Sequence, residues 1–96
     1  MDNVTMVQVE LLAFREPGKF RTVTIPSKKV NLDDVFEYGQ NTVQGRNQPS
    51  VSVGDVIHFN GKKIRVDTVG FSELTEDQYK AYRNTPQRER YFWTAN

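Results

Sequence analysis

The dipeptide Asn60-Gly61 constrains the fold of this chain more than any other feature. It separates two runs in which apolar and polar residues alternate, Val56–Phe59 and Lys62–Val69. Asn-Gly is typical of a two-residue type I′ hairpin turn, because both central residues must adopt positive φ. Such a short loop also sets the register of the two strands. The predicted pairs are Phe59 with Lys62, His58 with Lys63, Ile57 with Ile64 and Val56 with Arg65.

This register divides the hairpin into an apolar and a polar face. We expect the apolar face to join the core, and it holds Ile57, Phe59, Ile64 and Val66. The polar face is expected to meet solvent or a partner, and it holds His58, Lys63, Arg65 and Asp67. His58, Lys63 and Arg65 are therefore candidates for a nucleic-acid-binding face. The alternative is that basic side chains protect an edge strand from pairing with other chains.

A second hairpin is predicted over residues 5–25. Its first strand, roughly 5–14, is indicated by apolar Val7, Val9 and Leu11 alternating with Gln8 and Glu10. The turn at 16–19 contains Pro17 and Gly18, residues that favour tight turns. The returning strand is Phe20–Ile25, which Pro26 ends because proline cannot donate to a strand ladder. The basic residues that flank this hairpin are Arg15, Lys19, Arg21, Lys28 and Lys29.

Two short helices carry capping signals. Asn31 is the expected N-cap of the first, and Gly39 suits its C-terminal end. Thr75 with Gln78 forms a capping box at the start of the second. The predicted organisation is one domain with a helix at 31–39, a loop at 40–50, a hairpin region at 51–74, a helix at 75–84 and an aromatic tail at 86–96.

The tail combines arginines with three consecutive aromatic residues at 91–93. We expect these aromatic residues to add an edge strand or to cover one end of the core. Arginine and large aromatic residues are also enriched among the residues that dominate protein interfaces. The candidate protein-interface residues are Arg88, Arg90, Tyr91 and Trp93.

Composition excludes several classes of protein. The chain has 96 residues, with 13 basic and 12 acidic side chains and a net charge of +1. This balance argues against strong, purely electrostatic binding to DNA or acidic lipid. The absence of cysteine excludes disulfides and a thiol nucleophile. No basic leader and no apolar stretch of about 20 residues is present, so we predict a cytoplasmic protein that does not contact a membrane.

Candidate catalytic groups are few. His58 is the only histidine, and its basic strand neighbours provide no carboxylate to orient it as a general base. Asp33, Asp34 and Glu37 form an acidic patch, but the N-terminus of a helix already accounts for two of them. Asp55 stands in a tight turn and is expected to bond to the local backbone. We therefore predict a non-enzymatic protein with no catalytic residue, no cofactor and no metal.

Two motifs resemble a known family. The run Pro49-Ser-Val-Ser-Val-Gly-Asp-Val-Ile and the later run Asp67-Thr-Val-Gly-Phe-Ser-Glu-Leu resemble the YodL-like domain of polyvalent proteins from phages and conjugative elements. The matching positions are Val35, Phe36, Tyr38, Asn41, Gly45, Ser50, Ser52, Val53, Asp55, Val56, Asp67, Gly70, Phe71 and Glu73. Gly54 and the pair Thr68-Val69 depart from the family pattern. The resemblance implies a phage or mobile-element origin and no particular activity.

We expect an α+β fold, with a mainly antiparallel, partly closed sheet of about five strands and two short helices. The predicted function is that of a phage or mobile-element accessory protein, a binding module for a host or element protein in the host cytoplasm. The alternative is a small nucleic-acid-binding module, because Gly54–Lys63 also resembles the barrel hairpin of PUA-like domains. The oligomeric state stays open.

Overall fold

The strands and helices occur in the predicted order. A computed structural model describes residues 4–40 and 49–94. Its strands are β1 (Thr5–Glu10), β2 (Phe20–Ile25), β3 (Val56–Phe59), β4 (Lys62–Val66) and β5 (Phe71–Leu74). Its α-helices are α1 (Leu32–Tyr38) and α2 (Glu76–Asn84), and a 3₁₀ helix covers Gln87–Phe92. Most of the predicted 40–50 loop, with Asn41 and Gly45, lies outside the described residues, as do residues 95–96 of the tail.

The β3–β4 hairpin is confirmed together with its register. Asn60 and Gly61 both have positive φ, 53° and 75°, as the type I′ turn requires. All four predicted residue pairs between the two strands are present. β4 ends at Val66 rather than at Val69, because the chain turns back into β5. The amide of Asp67 donates to the carbonyl of Gly70 at 3.0 Å in this turn.

The predicted α+β class is confirmed, with five antiparallel strands in the order β2-β1-β3-β4-β5. The expected partial closure is wrong, because in the described part of the chain β2 and β5 form the two edges and do not pair with each other. The first strand was expected to reach about residue 14, but β1 ends at Glu10. The chain turns at 12–14 instead, and the side chain of Leu12 becomes fully buried.

One face of the sheet and α1 enclose the first core. The predicted apolar face of the hairpin is confirmed, since Ile57, Ile64 and Val66 are buried and Phe59 packs against the same core. The alternating residues of β1 and β2 supply the rest of the sheet side, and they are Val7, Val9, Val23 and Ile25. From the other side Val35 of α1 and the nearby Val51 close the core.

The opposite face of the sheet packs against α2, which corrects the expectation that this face meets solvent or a partner. α2 begins two residues after β5 ends, so the chain returns directly across the sheet. Its buried Tyr79 and Tyr82 form a second core with Leu12, Val56 and Leu74. A sheet of this size is covered on both faces because α2 has an apolar stripe of its own to bury.

The predicted N-cap Asn31 and the predicted capping box of Thr75 with Gln78 are confirmed, and Asn31 also forms a capping box with Asp34. The side chain of Asn31 accepts from the amide of Asp34 at 2.9 Å, and the hydroxyl of Thr75 accepts from the amide of Gln78 at 3.1 Å. Gly39 ends α1 with a φ of −80°, so a left-handed backbone is not the reason for glycine there. Within the described ranges, no helix is long and apolar enough to cross a bilayer.

Arg21 differs from the other residues of the predicted basic flank, because its side chain is buried on the α1 side of the sheet. Its Nη1 donates to the carbonyls of Gly39 at 3.0 Å and Pro49 at 2.7 Å. The guanidinium therefore ties β2 to the chain on either side of the undescribed segment. The other flank residues, Arg15, Lys19, Lys28 and Lys29, are exposed.

Candidate functional site

A fully buried carboxylate lies between the sheet and α2. Glu10 of β1 accepts hydrogen bonds from the hydroxyl of Tyr79, from Nε of Arg83 at 3.0 Å and from the amide of Gly18 at 2.9 Å. Burial by itself raises the pKa of Glu10, but the nearby imidazole of His58, the hydrogen bonds from Tyr79 and Gly18 and the charge of Arg83 outweigh it and lower the pKa to about 2. The group is thus an ionised anchor for α2.

His58 faces this carboxylate, contrary to the expectation that it has no orienting acid. Its Nε2 lies 3.9 Å from Oε1 of Glu10, and its ring makes edge contacts with Phe20 and Tyr79. The sequence contains no signal for this contact, because it depends on the pairing of β1 with β3. The same Nε2 lies 3.4 Å from the hydroxyl of Tyr79, so the His58 ring packs against two of the side chains that join α2 to the sheet.

Lys63 and Arg65, the other two candidates for a nucleic-acid face, are held by groups of the same chain. Nζ of Lys63 lies 2.6 Å from Oε1 of Glu76 in α2. Arg65 is buried, stacks over the ring of Tyr82 and donates to Asp67 at 2.7 Å. Because α2 and the chain after it cover these side chains, the three residues do not form an open cationic face.

Asp55 stabilises the turn before β3, and its predicted bond to the local backbone is confirmed. It is buried, and it accepts from the amide of Ser52 at 2.8 Å and from the distant amide of Ala13 at 2.9 Å. Burial raises the pKa of Asp55 to about 6, although both amide hydrogen bonds act in the opposite direction. This carboxylate joins the turn after β1 to the start of β3.

The acidic patch on α1 separates into different roles. The carboxylate of Asp34 accepts from the amide of Asn31 at 3.0 Å and completes the capping box. Asp33 and Glu37 are exposed. Throughout ranges 4–40 and 49–94, no group of three His, Asp or Glu side chains is placed to hold a metal ion.

The four predicted interface residues divide into buried anchors and exposed groups. Arg90 is only 2% exposed, and its guanidinium donates to the carbonyls of Leu12 at 2.9 Å, Arg15 at 2.9 Å and Arg83 at 3.3 Å. Trp93 is half-buried, with its ring 5.1 Å from that of Tyr82. These two residues hold the 3₁₀ helix against the body of the domain. Of the three consecutive aromatic residues that were expected to form an edge strand or cover one end of the core, only Trp93 packs against it.

Tyr91 and Arg88 are exposed, and two residues that were not predicted lie beside them. Tyr91, Phe92 and Phe14 are 60%, 78% and 71% exposed. The Phe92 ring contacts Tyr91 edge-on at 5.3 Å between centroids. Phe14, Arg88 and Tyr91 share the wall of a cavity of about 260 Å³. We call Phe14, Arg88, Tyr91 and Phe92 the aromatic surface.

Sequence reasoning missed Phe14 because residues 5–14 were assigned to a strand. The 3₁₀ helix reaches Phe14 through long-range bonds, such as Nε2 of Gln87 donating to the carbonyl of Ala13 at 3.0 Å. No motif in the sequence marks Phe14 as exposed.

Comparison with known proteins leaves the family open. The chain matches no protein-family model, no curated protein and no solved structure.

Proposed function

We propose that this chain is a non-enzymatic binding module that contacts another protein through the aromatic surface. The observation that carries the proposal is the cluster of three exposed aromatic side chains, Phe14, Tyr91 and Phe92. Clustered large apolar side chains on a small domain are costly to expose, and such patches usually mark interaction sites. Tyrosine and arginine are also the residue types that contribute most to protein interfaces.

The backbone beneath this surface supports the proposal. Buried Arg90 binds three carbonyl oxygens from two other segments, so the 3₁₀ helix is tied down although its neighbouring side chains are exposed. A surface that is ordered before binding loses less conformational entropy when the complex forms. The arrangement therefore favours a preformed docking surface.

Charge narrows the kind of partner. Arg15 and Arg88 are exposed close to the aromatic residues, and each has an exposed acidic neighbour, Glu16 and Glu89. A complementary partner therefore presents an apolar pocket with charged groups of both signs at its rim. Following the YodL-like resemblance, we take this partner to be a protein of the host or of the mobile element, met in the host cytoplasm. Nucleic-acid binding by His58, Lys63 and Arg65 is the weaker alternative, because α2 covers that face.

The test is affinity purification of the tagged chain from lysate of the encoding cell, with and without nuclease, followed by quantitative mass spectrometry. We compare the wild type with a Phe14→Ser and Tyr91→Ser double variant. Met6→Ser is the matched control, because Met6 is 68% exposed at the far end of β1. Proteins retained by the wild type and the control but lost by the double variant support the proposal.

Circular dichroism verifies that all variants are folded. Retention of the same proteins by the double variant contradicts the proposed surface. Loss of every retained protein on nuclease treatment favours the nucleic-acid alternative instead.

A further inference from the structure

A cleft lies on the other side of the domain, between the start of α1 and the sheet. Its volume is about 730 Å³. Its apolar floor is built from Leu32, Phe59, Ile64 and Phe71. A smaller cavity of about 200 Å³ adjoins it and shares Asp33, Gly70 and Phe71 with it. Together they form a groove that runs along β5, and we call it the β5 groove.

The groove is bordered by the backbone of an edge strand. β5 pairs with β4 on one side and is the last strand of the sheet on the other. The amide of Asp67 donates to Gly70, and hydrogen-bonded pairs alternate along an antiparallel ladder. The backbone N–H and C=O groups of Phe71 and Glu73 therefore point away from β4. An extended chain laid along β5 would meet these donors and acceptors.

The side-chain pattern of β5 agrees with such an added strand. Phe71 and Glu73 both line the groove, whereas Ser72 and Leu74 face the opposite side, where Leu74 joins the second core. Successive residues of a strand point to opposite faces. Every second side chain of an added strand would thus enter the groove above the apolar floor.

The rim of the groove is acidic. Glu73 and Asp33 contribute carboxylates, while Lys62 contributes one ammonium, which lies 3.6 Å from Oε1 of Glu73. All three are exposed at the rim. Two carboxylates against one ammonium leave a net negative charge beside an apolar floor. The complementary ligand has apolar side chains and at least one lysine or arginine.

We propose that the β5 groove is a second binding site, which takes an extended peptide segment by adding it as a strand to β5. The peptide places apolar side chains at alternate positions beside Phe71 and towards Ile64 of the neighbouring β4. A basic side chain pairs with Glu73 and Asp33. Recognition by strand addition uses main-chain hydrogen bonds for affinity and pockets for alternate side chains for selectivity. This site is separate from the aromatic surface, and neither proposal depends on the other.

The first experiment selects peptides on the purified full chain from a displayed library of random short peptides. Enriched peptides are expected to carry apolar residues at every second position and a lysine or arginine among the others. Synthetic versions are then measured by fluorescence anisotropy. N-methylation at alternate peptide residues is expected to weaken binding roughly tenfold, because it removes main-chain donors to β5.

Variants of Glu73 separate the backbone contribution from the charge. Glu73→Thr keeps the outward amide and loses the carboxylate, whereas Glu73→Pro loses both. Proline is tolerated on an edge strand where the N–H faces outward, and circular dichroism confirms the fold of each variant. We expect Glu73→Pro to raise the Kd roughly tenfold beyond Glu73→Thr. Lys62→Ala is expected to lower the Kd, because it removes the competing ammonium.

Three results would overturn this proposal. They are the absence of any enriched peptide, equal binding by wild type and Glu73→Pro, and uniform tolerance of peptide N-methylation. Sedimentation analysis of the chain alone tests a second copy as the occupant, since self-association abolished by Glu73→Pro would also reject the peptide. The assay holds only the chain and a peptide, so its failure leaves the test of the aromatic surface unaffected.

Discussion

The hydroxyl of Tyr79 donates a hydrogen bond to the buried carboxylate of Glu10, across 69 positions of sequence. The same helix supplies Arg83, whose Nε donates to the other carboxylate oxygen at 3.0 Å. One ionised side chain on β1 therefore holds α2 against the sheet. The consequence is a fold whose second layer depends on a charge.

Replacing the Glu10 carboxylate with a neutral side chain should remove the loss of folding stability that its protonation causes at low pH. The folded-state pKa of Glu10 is about 2, below the ordinary value of 4.5 for a glutamate. The carboxylate therefore stabilises the fold fully above pH 4.5, and this contribution is lost as the pH falls towards 2. We expect urea unfolding of the wild type to lose about 3 kcal/mol over that interval through this group, and Glu10→Gln to be weaker at neutral pH without that loss.

Glu16→Gln is the control for this comparison, since Glu16 is exposed in the turn before β2. It should follow the wild-type profile. An acid-side loss of equal size in Glu10→Gln and the wild type would show that Glu10 is not its source.

Asp55 should act on stability in the opposite direction. Its folded-state pKa is about 6, above the ordinary value of 3.8 for an aspartate. The folded state therefore holds the proton more tightly, and the stability from this group falls as the pH rises from 3.8 to 6. In Asp55→Asn that fall should be absent from the unfolding free energy measured between these pH values.

Asn can accept at one oxygen only, so Asp55→Asn also leaves one of the amides of Ala13 and Ser52 without its acceptor. Amide hydrogen exchange should report faster exchange at one of these two residues. A stability profile unchanged from wild type between pH 4 and 6 would reject the assignment to Asp55.

Two arginines separated by one residue should differ sharply in their effect on stability. Arg90→Met leaves three backbone carbonyls without their buried donor, and we expect a loss of about 3 kcal/mol. Arg88 has a side chain that is 87% exposed, so Arg88→Met should change stability by less than about 0.5 kcal/mol. Chemical denaturation measures both, and equal losses would contradict the anchoring role of Arg90.

Position 39 should require glycine because a Cβ there would clash with a neighbouring side chain, and not because the backbone adopts a positive φ. A Cβ at this position would lie 2.3 Å from Cγ2 of Val51. Gly39→Ala is therefore expected to cost about 1–3 kcal/mol by overpacking. Val51→Ala in the same chain should remove the closest contact and leave those at 3.0 Å to Cβ of residue 51 and the carbonyl of Val35. The double variant should therefore be more stable than the two single losses predict.

Gly18→Ala is the contrasting case in thermal unfolding. Gly18 has a φ of 95° and open space around it, so its loss should come from backbone strain and should not respond to Val51→Ala. If the losses of Gly39→Ala and Val51→Ala simply add in their double variant, the predicted clash between the two residues is contradicted.

The most accurate sequence predictions concern contacts between neighbours along the chain. The Asn60-Gly61 turn, the four pairs of the β3–β4 hairpin, the N-cap Asn31 and the capping box of Thr75 are confirmed. Each depends on the conformational preference of a few adjacent residues, and these preferences are strong where glycine or a capping side chain is required. The α+β class follows from the same signals.

The predictions of which charged side chains are exposed were less accurate. Arg21, Arg65 and Arg90 show the reason. All three are charged and all three are buried, because backbone carbonyls from distant segments accept from their guanidinium groups. Burial of a charged side chain requires partners that only the assembled domain brings together. Predicting exposure from the charge of these side chains was therefore wrong.

Local chemistry thus specified the strands, the turns and the face of the hairpin that becomes core. Which strands adjoin, and what covers the polar face, followed from long-range packing. β3 lies beside β1 although α1 intervenes in the chain, and α2 folds back over Glu10 and His58. Such contacts form because many side chains that are distant in sequence are buried together, so they cannot be predicted from any short stretch of residues.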